Sequence, residues 1–257
     1  MAGLNALGKK VFFLYPPPVL SEIVDELARR EFEVFLVRDH VRLRNVLKNN
    51  PEALVFIDID DGLEEAAWAR YIEELRNDPA TAAVRIGIIT LNDRPAEVKQ
   101  TYLMDLQVAC GFIVLKIGAA KTIEILVKTL EANEARGQRR FVRAICPPGV
   151  GTCVPEFEGA TLSAELSDLS SAGMTIHFEG TIHMKAGTVL RDLVLTVKGV
   201  RFNPSGFVVG VRADAGGRNI YVVMFAPESI DDTHREKLKT VVRYINQNAI
   251  DEVLARS

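Results

Sequence analysis

Arg136-Gly137-Gln138-Arg139-Arg140-Phe141-Val142-Arg143 marks the point at which the sequence pattern of this chain changes. Before it, short apolar runs alternate with segments whose apolar residues recur at helical spacing. After it, short runs of alternating apolar and polar residues are separated by prolines and glycines. The octet therefore divides the chain into a predicted α/β domain, residues 1–135, and a predicted all-β domain, residues 136–257.

The first half has the pattern of five βα units. Strands are predicted at 10–15, 33–37, 54–57, 86–90 and 112–115, and helices at 19–30, 41–48, 64–76, 96–105 and 119–134. Leu54-Val55-Phe56-Ile57 is continuously apolar, as expected for a parallel strand that is covered on both faces. The alternation predicts a doubly wound, parallel five-stranded sheet with helices on both faces.

The second half predicts a small antiparallel β-barrel with a C-terminal helix. Alternating or apolar runs predict strands at 162–166, 174–178, 193–197, 207–211 and 221–225. Asn203-Pro204-Ser205-Gly206 and Asp214-Ala215-Gly216-Gly217 are hairpin turn signals. The last helix is predicted to begin with a capping box formed by Thr233 and Glu236.

Composition and charge exclude several classes of protein. The chain has 257 residues, 48% of them hydrophobic and 25% charged, with a net charge of −3. No apolar run approaches the roughly 18 residues needed to cross a bilayer, and residues 1–10 do not resemble a signal peptide. We therefore expect a cytoplasmic protein without membrane insertion. The acidic net charge argues against broad nucleic-acid binding.

The residues that could bind a metal do not form a recognisable metal site. Cys110, Cys146 and Cys153 include no CxxC pair, so we expect buried free thiols and neither a disulfide framework nor a zinc site. His177 and His183 are six residues apart and have no acidic or thiol companions at ligand spacing. We predict no metal and no cofactor, and no arrangement of residues indicates an enzyme.

Two polar patterns stand out against this background. The first is Arg139-x-x-x-Arg143, and the second is Asp168-x-Ser170-x-x-Gly173. Each pattern alone is ordinary. Arginines are common at solvated helix ends, and a sequence such as Asp168–Gly173 is common in the turn of a hairpin. Together, in this order and opening an all-β stretch, they resemble the RxxxR and D/NxSxxG signatures of the PilZ family. That family is a receptor module for cyclic di-GMP, and the resemblance covers roughly residues 136 to 250.

The resemblance implies which residues contact the ligand. A guanidinium group can pair with phosphate, meet guanine O6 and N7, or stack on a purine. A carboxylate can accept from guanine N1–H and N2–H₂, and glycine allows a tight turn or close approach of the ligand. The residues implied are Arg139, Arg143, Asp168, Ser170 and Gly173, with Arg140 for a phosphate or a second ligand molecule. Gln138 and Arg140 both bear on whether one or two molecules bind.

The first half resembles a response-regulator receiver domain. Asp58 falls at the phosphoacceptor position, Thr90 at the switch position and Lys116 at the lysine position of that family. Receivers place two adjacent acidic residues at the end of the first strand to hold Mg²⁺, where this chain has Tyr15 and Pro16. We therefore expect a degenerate receiver that is not phosphorylated at Asp58 and serves for protein contact.

These features together predict a cyclic di-GMP receptor in bacterial signalling. Ligand binding would change the arrangement of the two domains and so control an unidentified protein partner, for example in a motility or secretion assembly. One alternative is a ligand-independent interaction scaffold in which both domains are degenerate. Another is a DNA-binding regulator that uses the arginine cluster, which the net charge and the lack of a recognition-helix motif disfavour.

Overall fold

The structure is a computed structural model that describes residues 8–137, 139–180, 182–214 and 216–256. They form two compact units. The first contains the residues up to Arg140 and those from Gln247 onward, and the second contains Phe141–Asn246. The predicted boundary, between residues 135 and 136, lies five residues before the boundary between the units. The prediction also placed the whole last helix in the second domain, whereas the units divide it at Gln247. That residues 1–135 and 136–257 are separate domains stays a prediction.

The first unit contains a parallel five-stranded sheet, as predicted. Its strands are β1 (Val11–Leu14), β2 (Val34–Val37), β3 (Leu54–Asp58), β4 (Arg85–Thr90) and β5 (Phe112–Val114). The strand order is β2-β1-β3-β4-β5, and all four pairings are parallel. This is the flavodoxin-like doubly wound order, in which the chain changes direction between the first and third strands.

Four helices connect these strands, and a fifth follows the last strand. They are α1 (Leu20–Arg29), α2 (His40–Lys48), α3 (Glu65–Asn77), α4 (Ala96–Gln100) and α5 (Ala119–Ala132). Helix α1 buries Leu20, Ile23, Val24 and Leu27, which recur at helical spacing on one face. Successive residues of β1 enter two separate cores, Val11 and Phe13 on one face and Phe12 and Leu14 on the other. The continuously apolar strands are therefore covered on both faces.

The predicted helix at 96–105 is not a single α-helix. Helix α4 ends at Gln100, and Thr101–Asp105 forms a π-helical turn. The wider turn buries Tyr102 at 1% exposure while Met104 stays 65% exposed. The predicted helix at 119–134 also ends early, at Ala132, because Glu134 has a left-handed backbone with φ of 54°.

The second unit is an antiparallel barrel. Its strands are β6 (Arg143–Ile145), β7 (Gly151–Phe157), β8 (Ala160–Thr161), β9 (Ala164–Ser170), β10 (Gly173–Phe178), β11 (Val189–Val197), β12 (Val200–Phe202), β13 (Gly206–Ala213) and β14 (Asn219–Phe225). The pairings run β7-β9-β10-β14-β13-β11 and return to β7, so six strands close a barrel. Inward side chains such as Leu169, Ile176 and Val208 fill it. The predicted barrel is confirmed, although the strands β6, β7, β8 and β12 were not predicted.

The predicted C-terminal helix is present as α6 (Asp232–Arg256). Its start differs from the prediction, because the Asp231 carboxylate accepts a hydrogen bond from His234 N at 2.7 Å. Asp231 is thus the cap, two residues before the predicted Thr233. In the second unit α6 buries Leu238, Val242 and Ile245 against the barrel core. No helix of the described residues is long and apolar enough to cross a bilayer.

The last turns of α6 belong to the first unit. Ile250 and Leu254 are buried in one of its cores. Gln247 Oε1 accepts from Leu36 N at 2.9 Å, and Gln247 Nε2 donates to Leu36 O at 2.9 Å. Leu36 lies in β2, the edge strand of the parallel sheet. A side-chain amide therefore replaces the next strand at that point of the edge.

Candidate functional site

Asp168 faces outward because β9 contains a bulge. Thr175 lies opposite Asp168, and Ile176 lies opposite Leu166, so Ser167 is the extra residue. Leu166 and Leu169 are buried in the barrel, and Ser167 and Asp168 between them are only half-buried. The bulge lets two consecutive side chains face outward, where a regular strand would turn one of them into the core.

The Asp168 carboxylate lies between two arginines. Thr175 Oγ1 donates to Asp168 Oδ2 at 2.6 Å. Arg143 Nη1 lies 3.8 Å from Oδ1, and Arg212 Nη2 lies 3.8 Å from Oδ2. Both distances are those of ion pairs and are too long for hydrogen bonds. The threonine thus orients the carboxylate. The two arginines, from β6 and β13, lie on either side of it at ion-pair distance without a hydrogen bond to it.

The arginines predicted at 139 and 140 lie outside helices and strands. Both are exposed and belong to the first unit, while Arg143 opens β6 in the second. No single helix or strand contains both Arg139 and Arg143. Burial raises the pKa of Glu33, and the charges of Lys10 and Arg139 partly offset this. Gln138 lies outside the described residues.

Ser170 and Gly173 form the turn between β9 and β10. The buried Ser170 hydroxyl donates to Gly173 O at 3.1 Å and accepts from Ala172 N at 3.3 Å. A Cβ at Gly173 would lie 2.4 Å from Val223 O, so β14 passes too close for any other residue. Both residues thus have a structural role in this hairpin. Their predicted ligand contacts stay predictions.

His177 has polar companions that the sequence did not indicate. Its Nδ1 lies 3.1 Å from Ser167 Oγ, and its Nε2 lies 3.2 Å from Glu165 Oε2. Among the described residues, no group of three His, Cys, Asp or Glu side chains could hold a metal ion. Cys146 and Cys153 are buried, and burial raises the pKa of each thiol to about 12. At neutral pH these thiols are protonated.

Asp58, at the phosphoacceptor position, is buried at the end of β3. It is 2% exposed, and its Oδ1 accepts from Asp60 N at 3.0 Å. Burial raises its pKa to about 6, and the nearby charges of Asp60 and Asp61 contribute in the same direction. A carboxyl group with this pKa is a weaker nucleophile below neutral pH, because a larger fraction of it is protonated.

Asp60, and not Asp58, contacts the switch-position Thr90. Thr90 Oγ1 lies 2.9 Å from both carboxylate oxygens of Asp60. Arg94 Nη2 donates at 2.5 Å and Leu91 N at 2.6 Å. Although burial alone would raise it, these hydrogen bonds lower the pKa of Asp60. The carboxylate of Asp60 is thus ionised at neutral pH, and it lies just after the carboxyl end of β3.

An aromatic cluster occupies the end of β1, where receivers place their acidic pair. Tyr15 has a left-handed backbone with φ of 53°, and its hydroxyl lies 3.0 Å from His40 Nδ1. Its ring packs edge-on against Trp68 at 5.8 Å between centroids. A Cβ at Gly62 would lie 2.7 Å from the Tyr15 ring. Aromatic packing therefore replaces hard oxygen ligands at this position.

Comparison with known proteins finds two kinds of similar solved structure. No protein family and no curated protein matches the chain by sequence. Similar solved structures include the PilZ domain of YcgR from Escherichia coli with c-di-GMP, at 16% identity, a TM-score of 0.38, and coverage of 45% of this chain and 96% of that one. A response regulator from Desulfuromonas acetoxidans shares 14% identity, with a TM-score of 0.38 and coverage of 48% and 98%.

YcgR from Escherichia coli in complex with c-di-GMP is also similar, at 16% identity and a TM-score of 0.41. The match covers 48% of this chain and 52% of that one, so this chain spans about half the length of that YcgR. These likenesses are too distant to assign a ligand to the chain. The basis for a proposed function is therefore the fold of the two units and the contacts of Asp168.

Proposed function

We propose that this protein is a receptor for cyclic di-GMP and that Arg143 and Asp168 of its barrel unit bind the ligand. One observation carries the proposal. On the outer face of the barrel, an aspartate fixed by a threonine lies between two arginines that do not close on it. The sequence resemblance predicts Arg143 and Asp168 as ligand contacts, and the contact between the two supports this.

The chemistry of cyclic di-GMP matches these groups. The ligand carries two phosphates and two guanines, so it needs cations for the phosphates and an acceptor for the N1–H and N2–H₂ donors of guanine. Asp168 supplies the acceptor, and its carboxylate is 18% exposed. Arg143, whose side chain is 43% exposed, supplies a guanidinium fork that can pair with phosphate or guanine. Arg139 and Arg140 are proposed as further contacts from their places in the motif.

The first unit is proposed as a degenerate receiver that serves for contact with a protein partner. The burial of Asp58, and the aromatic cluster around Tyr15 in place of an acidic pair, favour this role over phosphorylation. We place the protein in the cytoplasm and assign it a signalling role without catalysis.

Calorimetric titration of the full chain with cyclic di-GMP tests the receptor function, with GTP and cyclic GMP as controls. We expect heat with the cyclic dinucleotide alone. Asp168→Ala and Arg143→Ala should each weaken binding by about tenfold or more, since hydrogen bonds to charged groups contribute about 1.5–3 kcal/mol. Arg201→Ala is the matched control, because Arg201 is an exposed strand arginine whose Nε donates to Asn203 at 3.4 Å.

A wild-type protein that gives no heat at concentrations up to about 100 μM would contradict the receptor function. The ligand-independent scaffold would then be favoured, and it predicts a stable complex with a partner protein in the absence of cyclic di-GMP. Salt-dependent binding to duplex DNA instead would indicate the third alternative. Thermal unfolding of each variant separates loss of binding from loss of fold.

A further inference from the structure

Arg212, like Thr175, contacts Asp168 and lies outside both sequence motifs. It lies on β13, while Asp168 lies on β9, and the sheet order places β14 and β10 between them. Arg212 Nη2 is nevertheless 3.8 Å from Asp168 Oδ2. The arginine side chain is therefore extended across the outer face of two strands. Because it remains 60% exposed, it lies over this face as a solvated arm.

The face beneath this arm is a row of cross-strand partners. Gly210 lies opposite Val222, Val222 opposite Thr175, and Thr175 opposite Asp168. Residues directly opposite each other point to the same side of a sheet. Arg212 is two residues from Gly210 along β13, so it projects from the same face. The row is thus a shelf that has Asp168 at one end and Gly210 at the other.

Gly210 follows Val209, the extra residue of a bulge in β13, and no neighbouring atom excludes a side chain at position 210. A Cβ placed there would meet nothing within 4 Å, and its backbone is not in the left-handed region. This contrasts with Gly173 and Gly206, where a Cβ would lie 2.4 and 2.5 Å from backbone oxygens of β14. Glycine inside a strand is unfavourable and can mark a place where another molecule comes close. At position 210 it leaves open space beside the Arg212 arm.

We infer that Arg212 is a further ligand-binding arginine and that the part of the shelf formed by Gly210 and Val222 receives part of the cyclic dinucleotide. This rests on the proposed function and extends the site from β6 and β9 to β13. The guanidinium of Arg212 pairs with a phosphate or stacks on a guanine face that lies against the shelf. Arg212 leaves Asp168 easily, because an exposed ion pair at this distance contributes little.

The contact with Asp168 does not by itself account for Arg212. Thr175 already donates to Asp168 Oδ2 at 2.6 Å, so the carboxylate is oriented without the arginine. Arg143 supplies a second positive charge at Oδ1. A residue whose role was only to position Asp168 would thus be redundant with two others. Direct contact with the ligand explains both the length and the exposure of the arm.

Calorimetric titration of full-length variants with cyclic di-GMP tests the inference. Arg212→Ala should weaken binding about 10- to 100-fold, since it removes a charged hydrogen-bond donor. Arg212→Lys should recover only part of this, because an ammonium neither stacks nor pairs through a planar fork. Arg201→Ala again controls for the loss of an exposed strand arginine and should bind within twofold of wild type.

A double-mutant cycle separates direct contact from positioning. Arg212→Ala is combined with Asp168→Asn, which keeps the shape of the side chain and removes its charge. If Arg212 contacts the ligand, its loss in the Asp168→Asn protein still weakens binding about tenfold. If Arg212 acts only through Asp168, its loss in that background changes nothing, and the inference is overturned.

The shelf has its own test, in which stability and binding change separately. Gly210→Val adds a β-branched side chain to open space in a strand, so the melting temperature should stay the same or rise. Binding should fall at least about tenfold. If the valine variant does not fold, Gly210→Ala takes its place and should also weaken binding, by a smaller factor. Ala213→Val is the control, because Ala213 is exposed on the same strand but its side chain alternates to the other face.

The outcomes distinguish the two levels of proposal. If the wild type binds and Arg212→Ala and Gly210→Val bind within twofold of it, the inference is wrong and the receptor function stands. If Arg143→Ala and Asp168→Ala lose binding together with Arg212→Ala and Gly210→Val, both stand. A wild type that does not bind cyclic di-GMP overturns both.

Discussion

Asp58 and Asp60 are separated by one residue at the end of β3, yet their pKa values shift in opposite directions. Asp58 is buried and its Oδ1 accepts one backbone hydrogen bond, so burial dominates and raises its pKa to about 6. Asp60 is also shielded, but Arg94, Leu91 and Thr90 donate to it and lower its pKa. The balance between burial and hydrogen-bond donors around each carboxylate thus decides the direction of its pKa shift.

The raised pKa of Asp58 makes a prediction about stability. Its pKa in the folded protein exceeds its usual value of 3.8, so the folded state holds the proton more tightly than the unfolded state. The resulting stabilisation is complete below about pH 4 and is lost as the pH rises through about 6. Asp58→Asn should therefore raise the free energy of unfolding at pH 7 by about 2–3 kcal/mol and remove this pH dependence.

Urea unfolding of wild type and Asp58→Asn between pH 4 and pH 8 measures this. Asp105→Asn is the control, because Asp105 is exposed and lies in the segment before β5 of the same sheet. Two stability curves that run parallel across this range would show that the pKa of Asp58 is the same in the folded and unfolded states. The raised pKa would then be wrong.

At the scale of elements, the edge strand β2 depends on one side chain from α6. Both the N–H and the C=O of Leu36 pair with the amide of Gln247. We predict that Gln247→Leu destabilises the protein by about 1–3 kcal/mol, since it leaves two half-buried backbone groups without these partners. The amide proton of Leu36 should also exchange with solvent faster.

Hydrogen exchange followed by NMR at Leu36, together with urea unfolding, tests this. Glu252→Ala is the matched control on the same helix, where Glu252 pairs with the exposed Arg256 at 3.6 Å. An unchanged exchange rate at Leu36 in the Gln247→Leu protein would mean that the amide does not protect this edge.

Local pattern predicted most elements, because burial on one or both faces leaves a periodic record. The apolar run from Leu54 to Ile57 and the helical spacing of α1 are examples, and both elements lie within a residue of their predicted bounds. The π-helical turn at Thr101–Asp105 left no such record, since its apolar spacing also fits an α-helix. Strand β7 was missed because Pro155 and Gly151 interrupt its pattern.

The candidate site was predictable only in part. The motif indicated Asp168 and Arg143, and the structure brings them together. Arg212 could not be found, because its approach to Asp168 depends on the order of β13, β14, β10 and β9 and on the bulge at Ser167. Strand order and bulges arise from long-range pairing, which a local sequence pattern does not encode.

At the scale of the whole molecule, the chain passes between the two units at two points. The first passage is between Arg140 and Phe141, and the second is between Asn246 and Gln247, inside α6. The predicted ligand-binding arginines lie on both sides of the first passage. A ligand that binds Arg139, Arg140 and Arg143 together would favour one arrangement of the units over others, by as much as its affinities for them differ.

We therefore predict that saturating cyclic di-GMP changes the small-angle X-ray scattering curve of the full chain. Arg143→Ala at the same ligand concentration should give a smaller change in the curve, because its binding is weaker by about tenfold or more. Arg201→Ala, which keeps the proposed site intact, should respond as wild type does. Curves of free and saturated wild type that superimpose, while calorimetry shows full occupancy, would mean that the ligand acts within the barrel unit alone. Its signal would then reach a partner through the surface of the barrel and not through the arrangement of the units.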